Sequence, residues 1–190
     1  MAKSTIDLIP RDIQRVIVPR RWFSYLLIIV CLLFAREGFA QDDRPPSAIA
    51  EVTKQVLVDP MTYLPAAVFY SSLQLDWNSS QPFFQNGFVE ENARYTRSGR
   101  AHDFALSYGE GNRKILTDSL AIVPASMANN ALNRVLQRSL NGRFPKQRKL
   151  WTTLAWIERA AFASYSTYLV SGPHFEQWKK NERMAKQFGY

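Results

Sequence analysis

From Ser47 to the end of the chain, apolar residues recur every three or four positions, and no segment sustains the alternation of a strand. Ile49, Val52, Val56 and Leu57 predict a first helix that Ser47 caps and Asp59-Pro60 ends, because the residue before proline is driven out of the helical region. A second helix is predicted over 61–80, with Pro65 in its first turn, where a missing N–H costs least. Leu64, Val68, Ser71, Ser72 and Leu75 form its stripe, and Phe69, Leu73, Asp76 and Trp77 widen it, which places Asp76 close to a buried face. Pro82 is expected to bend or end this helix, and Gly87 the turn after it. A third helix over 112–140 follows from Leu116, Leu120, Val123, Met127, Ala131 and Val135, with a kink at Pro124 and a stop at Asn141-Gly142. Trp151, Leu154, Phe162, Tyr165 and Leu169 mark one face of a fourth helix over 146–170. Glu158 stands in that same stripe, so it is expected to be buried and paired, with Arg113 the first candidate partner. Ser171-Gly172-Pro173 predicts a break, and 174–188 a charged terminal helix. The pattern is that of an all-α protein, an up-and-down helical bundle of about four to five helices.

Between these helices, 88–111 has no lasting period and carries Gly99, Gly109 and Gly111 among charges of both signs, so it reads as a long irregular connection. Connections of that length are functional or disordered. Glu90, Glu91, Arg94, Tyr95, Arg97, Arg100, Asp103 and Tyr108 offer enough partners to predict a loop pinned to the bundle.

The N-terminal pattern is different. Residues 1–23 are basic, and Trp22 to Ala35 is an uncharged run of 14 residues, short of the roughly 20 that span a bilayer. With Gly38 and Ala40 behind it, the run reads as a signal peptide cleaved after Ala40, an uncleaved anchor being the alternative. Both place the body outside the cytoplasm, in the periplasm or anchored and facing out, and make the membrane surface or bilayer a partner at the N-terminus. Residues 1–40 are thus a targeting or anchor segment, 41–46 a linker ending in Pro45-Pro46, and 47–190 a single helical domain.

Composition narrows the chemistry. The net charge of +8 is spread along the chain and mixed with acids, so it is read as a solvated basic surface, a surface lying against anionic lipid headgroups being the alternative, and no nucleic acid partner is expected. The single cysteine, Cys31, lies in the N-terminal apolar run, which excludes disulfides and cysteine-based zinc sites from the body. His102 and His174 match no HExxH spacing, so they are read as solvent-exposed, with no metal and no cofactor expected. Gly109-Glu110-Gly111 is read as a helix start, and no GxSxG setting marks a nucleophile, so no catalytic residue is assigned.

The candidate polar centre comprises Asp76, Glu90, Asn92, Arg113, Asp118, Glu158 and Arg159, charged or amide side chains that separate elements can bring together. Within it, Asp76, Ser79 or Ser80, Gly87, Glu90 and Asn92 resemble the pattern of a family of small bacterial integral membrane proteins of unknown function: an Asp, a Ser or Thr, a Gly, then Glu-x-Asn-Pro at a helix exit. Ala93 replaces the family's proline. The resemblance implies membrane association and no activity. Asp118 and the neighbouring Glu158-Arg159 weigh against free-standing spans, since adjacent helical positions lie about 100° apart and cannot share one sheltered face. The expected function is therefore that of an exported or membrane-associated helical protein, non-enzymatic, acting in the envelope or through a protein partner. The alternative is a small-ligand binder or enzyme with a carboxylate–arginine pocket between helices.

Overall fold

In the computed structural model, residues 47–190 are described; the expected cleavage after Ala40, the apolar run and Cys31 lie outside them. Ser47 Oγ accepts the Ala50 N–H and starts α1 (Ala48–Val58), whose Val52 and Val56 are buried. Asp59 ends it, and its carboxylate accepts the Met61 N–H to open a single 3-10 turn, Pro60–Thr62. Then come α2 (Leu64–Gln85), α3 (Tyr108–Leu120), α4 (Val123–Arg143) and α5 (Arg148–Phe188). Two isolated bridges, Glu90 with Asp103 and Thr96 with Ala105, are the only strand-like pairings among the described residues, so the body is all-α.

Several boundaries differ from the expected ones, among them the stop at Asn141-Gly142, which α4 passes to end at Arg143. Pro82 lies inside the last turn of α2, which runs on to Gln85, and Phe83 holds that turn in an edge-on aromatic cluster with Phe88, Phe188 and Tyr190. The predicted 112–140 helix is two helices. It begins earlier because Ser107 and Glu110 form a reciprocal capping box, and it breaks at Ala121-Ile122, so Pro124 falls in the first turn of α4 and kinks nothing. The predicted break at 171–173 is absent, for α5 passes through Pro173 for 41 residues. An internal proline costs about 3 kcal/mol, and contacts on both sides offset it: before Pro173, Arg159 donates to Asn133 of α4, and after it His174, Asn181 and Phe188 dock on α2.

The side-chain pairings reveal three legs. Glu51 meets Arg138, Gln55 meets Arg134, Thr62 meets Asn130, Gln74 meets Asn112 and Asn78 meets Tyr108. Numbers fall steadily on one side as they rise on the other. So α1 and α2 form one upward leg broken at 59–63, and α3 and α4 one downward leg broken at 121–122. The pairs Asn133–Glu158 and Gln137–Thr152 run α5 antiparallel to α4, while Phe69–His174 and Phe83–Phe188 run it parallel to α2. The up-and-down bundle is thus up-down-up, with α5 spanning its whole length of about 60 Å. The described residues form one compact unit. Its apolar core sits at one end, where Leu73, Trp77, Tyr95 and Ile115 pack with Phe69, Phe84, Ala105 and Leu106.

The connection 86–107 closes that end and is tied down. Glu90 and Asp103 exchange backbone hydrogen bonds of 2.8 and 3.2 Å, the Leu106 N–H donates to Tyr95, and Arg94 reaches Asp118 on α3. Amide exchange is expected to be slow at Glu90, Tyr95, Arg97, Asp103 and Leu106. Complete exchange of this whole segment while α2 stays protected would show it untethered.

Candidate functional site

The break in the first leg creates a polar demand, and the polar centre answers it. At the end of α1 the Val56 carbonyl accepts from Thr62 Oγ1 at 2.7 Å, and Thr62 in turn accepts from Asn130 Nδ2 at 2.8 Å. Arg134 of α4 donates to Asn130 and Gln55, each at 3.0 Å, and makes a short ion pair with Asp59. From α5, Arg159 Nε lies 3.4 Å from the same Asp59 oxygen, an ion-pair contact without hydrogen-bond alignment. Arg159 Nη1 donates to Asn133 at 2.6 Å and to Gln137 at 3.3 Å. One carboxylate thus faces two guanidiniums from the two other legs. Burial opposes ionisation of Asp59, but the Met61 amide, Arg134 and Asn130 together hold its carboxyl below the usual range. Burial, helped by the charge of Arg134, pulls Arg159 below its ordinary value, and Asp59 pulls the other way.

Asp59 and Arg134 were not among the expected site residues, whereas Arg159 was. The expected role of Glu158 is overturned. Its side chain is exposed at the seam of α4 and α5, where it accepts from Asn129 and Asn133. Arg159, one residue on, is the buried partner. Nor does Arg113 approach Glu158: it is exposed on α3, level with Gln74 of α2, whereas Glu158 lies level with Asn133 near the opposite end. Asp59 is legible as a helix breaker, and nothing in its neighbours marks it as an ion-pair acceptor. An Arg within four residues of Asn130 and Asn133 is the available clue on α4.

A second cluster joins α2 to α5. His174 Nδ1 lies 2.8 Å from Asp76 Oδ2, and its ring tilts against Phe69. Asn181 Nδ2 reaches Ser80 at 2.9 Å, Ser79 at 3.1 Å and Asp76 at 3.4 Å. His174 is therefore not the solvent-exposed histidine expected. With the predicted break at 171–173 gone, it sits inside α5 and faces α2. Glu90 and Asn92 serve the connection instead: Glu90 accepts the Asn92 N–H at 2.7 Å, and Asn92 accepts the Arg94 N–H at 3.1 Å. Burial pushes the Glu90 carboxyl up. Asp118 gathers Arg94, Lys114 and Tyr95, and burial together with that carboxylate pushes the Tyr95 hydroxyl well up. The seven expected residues are thus divided among separate clusters rather than converging on one pocket. Among the described residues no group of three or more His, Cys, Asp or Glu is placed to hold a metal ion.

The remaining feature is the outer surface. On α5, Leu150, Leu154, Ile157, Ala161, Tyr165 and Tyr168 are all exposed, and at about 100° per residue they fall on one face roughly 80° wide. Ala155, Arg159 and Ala163 are buried on the opposite face. Likewise α4 buries Ser126, Asn130 and Asn133 while Leu132, Val135 and Leu136 stay exposed. The apolar stripes predicted to be inside are therefore outside in part: Leu116 and Leu120 of α3, Val135 of α4 and Leu154, Tyr165 and Leu169 of α5 are exposed, whereas Val123, Met127, Ala131, Trp151 and Phe162 are half-buried. Soluble monomers seldom leave contiguous apolar patches of this extent uncovered. Among the described residues no helix is long and apolar enough to cross a membrane.

No protein-family model matches the chain, and no curated protein or solved structure matches it either.

Proposed function

We propose that this is a non-enzymatic, membrane-associated helical protein of the cell envelope, whose α4–α5 outer face lies against lipid. The observation that carries the reading is the inversion on α5, with Arg159 and two alanines inward and Leu150, Leu154, Ile157, Tyr165 and Tyr168 outward. In water this distribution leaves apolar area exposed, whereas a lipid-facing surface rewards it. The polar clusters support the non-enzymatic half. The groups of the Asp59 cluster spend their hydrogen bonds on one another and on the broken helix ends, which is the chemistry of a brace that sets register. The basic segment and apolar run before Ala40 are consistent with the same destination.

Fractionation of cells expressing the full chain tests the reading, with N-terminal sequencing to report cleavage. The protein is expected in the membrane fraction, and the purified chain is expected to float with phospholipid vesicles. Recovery in the soluble fraction, with no vesicle flotation, would refute it.

A further inference from the structure

We propose that the turn joining α4 to α5 binds the phosphate headgroups of anionic phospholipid and so fixes which end of the bundle is held at the membrane surface. The inference rests on the lipid-facing reading of the α4–α5 surface and names the lipid class that this surface selects. Between Asp118 and Glu158 the sequence contains no acidic residue, yet it carries Arg134, Arg138, Arg143, Lys146, Arg148 and Lys149. The first two are spent internally, on Asp59 and Glu51. The other four are exposed within seven residues, and among the described residues none of them has an ion-pair partner.

Their setting adds to the charge. Arg148 and Lys149 lie in the first turn of α5, the positive end of the helix dipole, where cations are disfavoured unless an anion is at hand. Gln147 provides no side-chain cap there, and the 3-10 turn Pro145–Gln147 has none either. Phe144 is 40% exposed beneath the Arg143 guanidinium, 5.6 Å from ring centre, and leans on Trp151. Leu150 is 50% exposed and begins the outer stripe of α5. Four free cations around exposed Phe and Leu suit an interface with phosphate above and acyl chain below. Nucleic acid satisfies the cations but leaves Phe144, Leu150 and the stripe uncovered. The far end of α5 has a weaker bias, because Lys179, Lys180, Arg183 and Lys186 are interleaved there with Glu176 and Glu182.

The test uses the full chain with Cys31→Ser and Leu150→Cys, labelled at the new thiol with an environment-sensitive NBD fluorophore. A second version carries the label at Ser98→Cys, on the connection at the opposite end. Vesicles of phosphatidylcholine alone are compared with vesicles that also contain phosphatidylglycerol. The Leu150 label is expected to shift to the blue and brighten on the phosphatidylglycerol vesicles, weakly on the others, and less as salt rises. The Ser98 label is expected to stay in water. Lys146→Gln with Lys149→Gln is expected to weaken binding to the anionic vesicles by roughly tenfold or more. If the Leu150 label responds equally to both lipids, the headgroup site is wrong and the lipid-facing reading stands; if the chain floats but the label does not respond at all, both are wrong. If the chain floats with neither, that reading has failed first. A response to duplex DNA or soluble pyrophosphate with none to vesicles assigns the patch to another anion and overturns the proposal.

Discussion

Asp59→Ala is expected to destabilise the helical body by about 3–5 kcal/mol, because it leaves Arg134 and Arg159 facing each other, largely buried, with no carboxylate between them. It also removes the acceptor for the Met61 N–H at the start of the 3-10 turn. For a body of this size the loss corresponds to a fall in Tm of about 10 °C or more. Arg159→Met is expected to cost much less, since a buried cation can be replaced by an apolar side chain of similar volume near neutrality, and Asp59 keeps Arg134. The double variant should cost less than the sum of the two, because both changes remove one interaction. A dependence on pH follows as well. The Asp59 carboxyl is held below its ordinary range, so its contribution is complete above an unfolded pKa of about 3.9 and is lost as pH falls through the lower folded value. Asp59→Ala should therefore flatten the acid limb of the stability curve. Urea titrations followed by circular dichroism at pH 7 and below pH 4 measure both effects. An Asp59→Ala variant that melts with wild type would show that the two guanidiniums find water or another anion.

The second large effect separates helix propensity from packing. Gly111→Ala should stabilise a helix by about 1 kcal/mol on propensity alone. In this protein it is expected to destabilise by about 1–3 kcal/mol or more. A Cβ on Gly111 would lie 2.9 Å from Trp77 Nε1 and closer still to two carbons of that ring. The indole is not free to retreat, because Leu73, Tyr95, Ile115 and Phe84 pack around it. Gly109, two residues earlier on the same helix, has open space at its Cβ position, so Gly109→Ala is expected to be neutral or mildly stabilising. Opposite signs at the two positions, read in one thermal-unfolding experiment, support this packing of α3 on α2. A stabilised Gly111→Ala variant would mean that the two helices are further apart.

Much of the local structure was legible because local chemistry decides it. Ser47 before an apolar period, Asp59-Pro60 at a helix end and Pro145 at the next start act within a few residues, and each falls where its stereochemistry predicts. The all-α class follows from the persistent helical period and needs no tertiary information. Prolines were the weak point: Pro82, Pro124 and Pro173 each have a local penalty whose outcome depends on what surrounds them. The Ser107–Glu110 capping box moved one boundary, and aromatic and polar contacts with α2 carried α5 across Pro173.

The candidate site was less legible, for a definite reason. Periodicity identifies the most apolar stripe of a helix and says nothing about what that stripe faces. On α5 it pointed to Leu154, Glu158 and Tyr165, and the buried line through Ala155, Arg159 and Ala163 lies about 100° further round. Close approach of three legs favours small side chains on that line, and the broken first leg requires donors and acceptors there. Helical content and capping are written in short stretches of residues. The pairing of Asp59 with two arginines from other legs, the meeting of His174 with Asp76 and the outward turn of the apolar stripes depend on how the legs are registered against one another. Register is set by the sum of long-range contacts, and no single segment carries it.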